Sequence, residues 1–492
     1  MAFFMALFLT ALCSAPSMAG ARVSDRTQEC LECHTAIHPG IVRAWERSRM
    51  ARMTPAGAVA LPEEERRVSF KGVPEALGRV VVGCAECHTL HPETHKDTFE
   101  HNGHRVHVVV TPTDCATCHP VEMSQFRENL MSRAYGNLRE NSIYRSLSDS
   151  VNGPHTLKGV EIVTGRPDLG TEADSCLYCH GTKVLVEGKE TRETEMGEMT
   201  FPVLQGWPSQ GVGRVNPDGS KGACSACHTR HTFSIEMARK PHTCSECHKG
   251  PDVPAYKVYN VSKHGNTYCA LGKTWNFDAV PWVVGRDFTA PTCAACHVSG
   301  IADEDGNVIA GRTHRMNDRL AWRILGLIYA HPQPRSPDTT VLRNRLDLPL
   351  PTELTGEPVS KGLIDTRTME ARQERMERIC LSCHATGWVK GHFARLENTI
   401  RTTNEMTRTA TRILMNAWEE GVAGGLAQGD GIFNEVIEKK WVEQWLFFAN
   451  STRYASAMAG ADYGVFSGGR WHLSRNIHEM MERFNDLMEQ KE

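Results

Sequence analysis

Cys30-Leu31-Glu32-Cys33-His34 is the stretch whose reading decides the fold, because its pattern, Cys-x-x-Cys-His, occurs eight times in 492 residues. The other seven copies are Cys84 and Cys87 with His88, Cys115 and Cys118 with His119, Cys176 and Cys179 with His180, Cys224 and Cys227 with His228, Cys244 and Cys247 with His248, Cys293 and Cys296 with His297, and Cys380 and Cys383 with His384. Two thiols three positions apart reach the two vinyl groups on one edge of a haem, and the next residue turns its imidazole onto the iron. A single Cys-x-x-Cys pair also suits a redox dithiol or half of a zinc site, but neither use needs a histidine after every pair. The pattern therefore points to eight covalently bound haem c groups, each iron held on one side by its motif histidine.

Sixteen of the eighteen cysteines are assigned in this way, which leaves Cys13 and Cys269 and excludes a disulfide framework. Cys269 reads as a buried apolar thiol. The formal net charge of -3 argues against nucleic acid as a partner and against a strong membrane-surface field. Arginine outnumbers lysine, which suits planar pairing with haem propionates and equally fits a simple codon bias. Residues 1–12 form a short apolar run, and Ser17-Met18-Ala19 supplies small residues for cleavage after Ala19. Residues 1–19 thus read as an export signal that contains Cys13 and sends the rest to the periplasm. The lack of Lys or Arg before the run keeps a single-span anchor as the alternative. No later stretch is long and apolar enough to span a membrane.

Fifteen of the 23 histidines lie outside the motifs. Electron-transfer haems often take a second imidazole, so these are candidate distal ligands. His38, His91 and His231 follow a motif histidine by three or four residues; each lies on that haem's proximal side and can serve only a neighbouring iron. With His107, His242, His264 and His314 they form the favoured distal set, and His392 comes next.

The expected fold is mainly α, a multihaem cytochrome c with little strand. Seven motifs crowd a haem-packed domain over residues 20–300, and a helical domain over 301–492 carries the eighth. Val151-Asn152-Gly153-Pro154 and Asn216-Pro217-Asp218-Gly219 read as turns. Residues 404–421, 433–457 and 470–490 place apolar residues at helical spacing without proline, with Trp441, Trp445, Phe447 and Phe448 as helix-packing core. Such helices also suit packing between subunits.

In motif number and order the chain resembles the hydroxylamine oxidoreductase family of octahaem cytochromes, with its hydrazine-oxidising and nitrite-reducing relatives. The likeness also rests on the spacing of Cys224 and Cys244, on Gly250-Pro251-Asp252, on Ser262-Lys263-His264-Gly265, and on Tyr329-Ala330-His331-Pro332-Gln333-Pro334. The resemblance implies a homotrimer in which seven haems are bis-histidine relays and the haem on Cys176, Cys179 and His180 has an open iron. It further implies that, in oxidising members, a tyrosine from a neighbouring subunit is cross-linked to that ring. Tyr463 is the best match, ahead of Tyr454, and a half-buried structural role is the alternative. Proton transfer calls for a carboxylate and an imidazole near the open iron; Asp252 is the carboxylate, and His331 or His155 could substitute for the histidine that often follows it in relatives. Two departures stand out: Val253 where relatives often have histidine, and Met50 where relatives often carry a histidine ligand.

The leading expectation is an enzyme that oxidises hydroxylamine, or a related compound such as hydrazine, and passes electrons to a cytochrome partner that is soluble or membrane-anchored and quinone-linked. The second is reduction of nitrite or hydroxylamine to ammonium, which needs no cross-link and tolerates Val253. The third is a non-catalytic electron-transfer module.

Overall fold

The computed structural model describes residues 22–492, so the export-signal reading and Cys13 lie outside the described residues. Each motif folds as one helical turn for a local reason. The N–H of the motif histidine reaches the carbonyl of the first cysteine, at 2.9 Å for His88, His119, His248 and His384 and 3.0 Å for His228. That i, i+4 bond stands the imidazole one turn above the thiol pair. The first motif lies within helix α1, Asp25–Ile37. Ser24 caps it by accepting the Thr27 N–H at 3.1 Å, and Asp25 sits at the positive end of its dipole. It stops where His38 closes onto the His34 carbonyl and Pro39 begins a new helix.

Most of the strands form short antiparallel pairs. β1 (His155–Lys158) pairs with β2 (Glu161–Thr164), and the fourth motif follows on α2 (Cys176–His180). β3 (Leu185–Thr194) and β4 (Gly197–Gln205) form the longest hairpin. Among the described residues no sheet exceeds three strands, so the fold is mainly α, as the sequence implied. Cys269 lies on α3 (Lys263–Leu271) and is exposed, with its thiol 3.6 Å from Asn260 Oδ1. This corrects the expectation of a buried apolar role: the helix turns its opposite face inward.

The C-terminal part is built on α4 (Thr366–Leu381), α5 (Thr386–Glu419), α6 (Val436–Val442), α7 (Ala449–Met458) and α8 (Arg470–Lys491). α5 buries Ile400, Thr403, Thr407, Ala410, Leu414 and Ala417, a stripe at spacings of three and four. The helix read over 404–421 is thus the second half of a longer one. The helix read over 433–457 is interrupted by a π-helical turn, Glu443–Phe448. Trp441 and Trp445 are fully buried with Tyr329, Leu414, Phe433 and Met480 in the main apolar core, as the helical stripe suggested. Phe447 instead lines the haem cavity described below, and Phe448 stacks on His472. No helix among the described residues is long and apolar enough to cross a membrane.

Candidate haem sites and catalytic chamber

A continuous internal cavity of about 2470 Å³ runs through the motif-bearing part of the chain. All eight motif histidines and every motif cysteine except Cys33 line it, with apolar side chains between them. Burial pushes the Cys87 thiol up to about 12 and holds the ring of His88 in its neutral form. None of the described cysteines forms a disulfide. Buried imidazole nitrogens without a hydrogen-bond partner occur on His101, His107 and His314, which also line the cavity. Paired thiols, an imidazole one turn from each pair and an apolar cavity of this size between them fit haem c.

Contacts between motifs order them in space. The Cys115 sulfur lies beside that of Cys224, Cys179 beside Cys247, and Cys244 beside Cys293. Burial, followed by a nearby thiol, raises Cys84 to about 11 beside Cys30, and raises Cys227 and Cys296 to about 12 beside Cys244 and Cys380. At Cys87 the effect of burial is reinforced by Glu86 and Asp114 and, after them, by Cys118. The motifs therefore run first, second, third, fifth, sixth, seventh, eighth, and the fourth branches from the sixth.

Four histidine pairs have ring centroids about 6 Å apart: His34–His101 at 6.1 Å, His88–His107 at 6.0 Å, His228–His314 at 6.4 Å and His264–His384 at 6.1 Å. That separation suits two imidazoles on opposite sides of one metal, each nitrogen roughly 2 Å from it. Among the described residues, His119, His180, His248 and His297 have no histidine at that distance. His38 places Nδ1 2.9 Å from Nδ1 of His34 and stacks beside it, so both rings lie on one side of the first haem position. His231 lines the cavity near His88 and is pushed down to about 4 by burial and that neighbour. His392 also lines the cavity, beyond Trp388, which stacks 4.1 Å from His384. Met50 lines it as well.

Two favoured histidines lie elsewhere. His91 is exposed, with Nδ1 3.9 Å from Glu93, and His242 is exposed, with Nδ1 3.3 Å from the Tyr268 hydroxyl. His101, which sequence reasoning passed over, is brought to His34 by the small hairpin Phe99–His101 and His104–Val106. No local spacing signals it. His95 stacks 3.6 Å from His107, between Asp97 and Asp114. Burial opposes its charge, but the two carboxylates prevail and raise it to about 9.

The surroundings of the fourth motif differ in kind. Gly181 follows His180 at φ +85°, and its missing Cβ lets the backbone of Gly213 and Arg214 cross directly against it. The His180 Nδ1–H donates to the Ala134 carbonyl at 3.2 Å, which aims the other nitrogen into the cavity. Tyr144, Asp252, Val253, Arg323 and Tyr454 line the same space. Burial pushes both tyrosine hydroxyls up; Asp252 adds to the shift and Arg323 opposes it. Both charges also act on His180.

Behind this chamber Asn450 donates to the Asp252 carbonyl at 2.9 Å and accepts from Arg453. Arg453 donates to Asn404 at 2.6 Å, and Asn404 holds both backbone groups of Ala330, next to His331. The His331 Nδ1–H donates to the Pro332 carbonyl at 2.6 Å, and its Nε2 is buried without a partner. Burial and then Arg323 push this ring down to about 3. It sits in a separate void of about 10 Å³, shared with Asn141, Tyr144 and Arg323. His155 is exposed on β1. Tyr463 is half-buried on the short helix Ala461–Val465, away from its own chain's cavity and near exposed Val465, Phe466 and Trp471. Tyr144 and Arg323 carried no sequence signal.

Comparison with known proteins agrees with this architecture. The signature of the family described as a seven-times multi-haem cytochrome CxxCH matches residues 217–313. A solved structure described as a hypothetical multiheme protein superposes with a TM-score of 0.90 at 40% identity, covering 96% of this chain and 97% of its own. A Kuenenia stuttgartiensis structure, described as a reducing HAO-like protein complex, has a TM-score of 0.63 at 17% identity over 95% of this chain and 86% of its own, a likeness of fold. A probable nitrite reductase-hydroxylamine oxidoreductase fusion protein of the same organism is 25% identical over 288 residues, which span 56% of this chain and 26% of that relative.

Proposed function

We propose that this chain, a multihaem c-type cytochrome similar over nearly its whole length to a solved multihaem protein, is a periplasmic octahaem enzyme of the hydroxylamine oxidoreductase-like class that reduces nitrite or hydroxylamine at an open iron on His180. The observation that carries the reading is the chamber itself. Two tyrosine hydroxyls, a carboxylate and a guanidinium converge on the cavity beside one motif histidine.

Cys176 and Cys179 would hold the haem and His180 its iron; when bound, the group supplies an open coordination position and electrons from its neighbours. Reduction of nitrogen oxides consumes protons, and buried Tyr144 and Tyr454 keep theirs at neutral pH, so they can donate hydrogen bonds to a ligand. Asp252 is the carboxylate placed to return protons to those hydroxyls. The Asn450–Arg453–Asn404 network fixes the Asp252 and His331 segments against each other. His101, His107, His314 and His264 would supply the second imidazole to the irons held by His34, His88, His228 and His384. Haems held on this chain of motifs would carry electrons in from a cytochrome partner.

A second reading, oxidation of hydroxylamine or hydrazine, is favoured by Tyr463. Its setting among exposed Val465, Phe466 and Trp471 suits insertion into a neighbour within a homotrimer. Mass spectrometry of the haem peptide containing Cys176 separates the two. The reductive reading expects that peptide free of tyrosine, together with ammonium formation from nitrite when reduced viologen supplies electrons. A Tyr463 peptide joined to it would replace the reductive reading with the oxidative one.

A further inference from the structure

We propose that Arg323 sets the substrate class of the fourth-motif chamber, its guanidinium and the Tyr144 hydroxyl forming a subsite that prefers a small oxyanion to a neutral ligand of similar size. The inference rests on the open iron lying at His180 and says which ligands that iron accepts.

Several buried arginines spend their nitrogens on backbone carbonyls and amide side chains. Arg319 is buried, and its terminal nitrogens donate to the carbonyls of Ala295, Cys296, Ser299 and Gly311. Arg239 donates to Phe277 and Ala279, and Arg453 to Ile324, Asn450 and Asn404. These cations are consumed by the scaffold.

Arg323 is not. It lies in the two-residue strand Trp322–Arg323, in register with His331. Its Nε–H donates to the Leu325 carbonyl at 3.0 Å, which fixes the plane of the guanidinium. Among the described residues its two terminal nitrogens make no hydrogen bond and no ion pair, although Asp252 lines the same cavity. The side chain lines both the large cavity beside His180 and the small void that holds His331 and Tyr144. A planar donor pair of fixed orientation, short of acceptors and facing a chamber, matches the two oxygens of a bent oxyanion. Tyr144 borders both spaces and adds a neutral donor beside it.

The test uses the haem-loaded protein and two probes, nitrite and hydroxylamine, each titrated at pH 7.5 while the absorption and EPR spectra are followed. In Arg323→Gln nitrite should bind roughly tenfold to a hundredfold more weakly, the loss of a charge-assisted hydrogen bond. Hydroxylamine should change by less than about threefold on the same scale. Arg323→Lys should recover part of the nitrite affinity, since it restores charge without the fork. An unchanged ratio of the two affinities in Arg323→Gln overturns the proposal, most directly if that haem's potential or content shifts instead, because Arg323 would then be pairing with a porphyrin propionate. Should the unaltered protein bind neither probe at any haem, the open iron itself is lost and this inference with it.

Discussion

Replacing Gly181 with alanine probes how firmly the chain sets His180, and Gly219 supplies a matched control. Both glycines have φ +85°, a conformation that costs an alanine about 1–2 kcal/mol. They differ in their surroundings. A Cβ on Gly219 meets nothing within 4 Å, whereas one on Gly181 lands 2.7 Å from Arg214 Cα and from the Gly213 carbonyl carbon, where ordinary contact begins at 3.4 Å. The obstacle is backbone, and it is tied down: Val212 N–H donates to the Cys179 carbonyl at 3.0 Å, and a Cβ on Gly213 would itself press to 2.6 Å from the His180 carbonyl. Overpacking of this kind costs about 1–3 kcal/mol, so Gly181→Ala should lose about 2–5 kcal/mol in all. Gly219→Ala should lose only the backbone part. The assay is guanidinium denaturation of both variants followed by far-UV circular dichroism, with EPR of the folded proteins. Gly181→Ala should also broaden or shift the high-spin signal of the His180 haem, and Gly219→Ala should leave it alone. Equal losses from the two substitutions, or an untouched high-spin signal in Gly181→Ala, would refute the claim that this crossing positions the fourth site.

Three further outcomes follow from the same geometry. His101→Leu, His314→Leu and His264→Leu should each convert one low-spin haem to high spin in the EPR spectrum, while His91→Leu and His242→Leu should convert none, since both rings lie outside the cavity. Thiol titration of the denatured, cleaved protein should find a single reactive cysteine, Cys269, because the motif thiols are consumed as thioethers; many more would end the haem c assignment. Glu122, though burial opposes its charge, is held below the usual carboxylate range by Ser69 and by Arg312 at 2.7 Å. Its contribution to stability is therefore full above about pH 4.5, the ordinary glutamate range, and is lost as pH falls through the lower folded value. Glu122→Gln should flatten that acid limb in melts recorded between pH 3 and 6 and leave its slope above pH 6 unchanged.

What could be read from the sequence was whatever is local. The thiol spacing and the histidine one turn on need only a single helical turn, which the backbone supplies at all eight motifs. α8 was legible because Arg470–Lys491 repeats its apolar residues at helical spacing. The first half of α5 was not, because Gly387 and Gly391 weaken the helical pattern. There the helix is supported by Trp388, stacked between His384 and His392. Pairing of imidazoles escaped for a different reason. His264 and His384 are 120 positions apart, and only the path of the chain decides that they face each other. Cys269 was misjudged because a cysteine's preference for burial says nothing about which helix face it occupies.

The order of the motif contacts bears on what the protein is for. A relay that only moved electrons would be served by a single file, and seven motifs make one, from Cys30 beside Cys84 to Cys296 beside Cys380. The fourth motif adds nothing to that file. It meets the sixth through Cys179 and Cys247 and stands beside it as a spur. At the end of the spur Tyr144, Tyr454, Asp252 and an Arg323 that is unpaired among the described residues line the cavity, and the two charges act on the motif histidine. Protein that serves only conduction has no use for proton-bearing groups at a dead end. A reaction that takes up electrons and protons together needs both at one place, with electrons arriving from one side and protons from the other. Under the proposed reading the spur would be that place, and its single junction at the sixth motif would let electrons entering from either end of the file reach it.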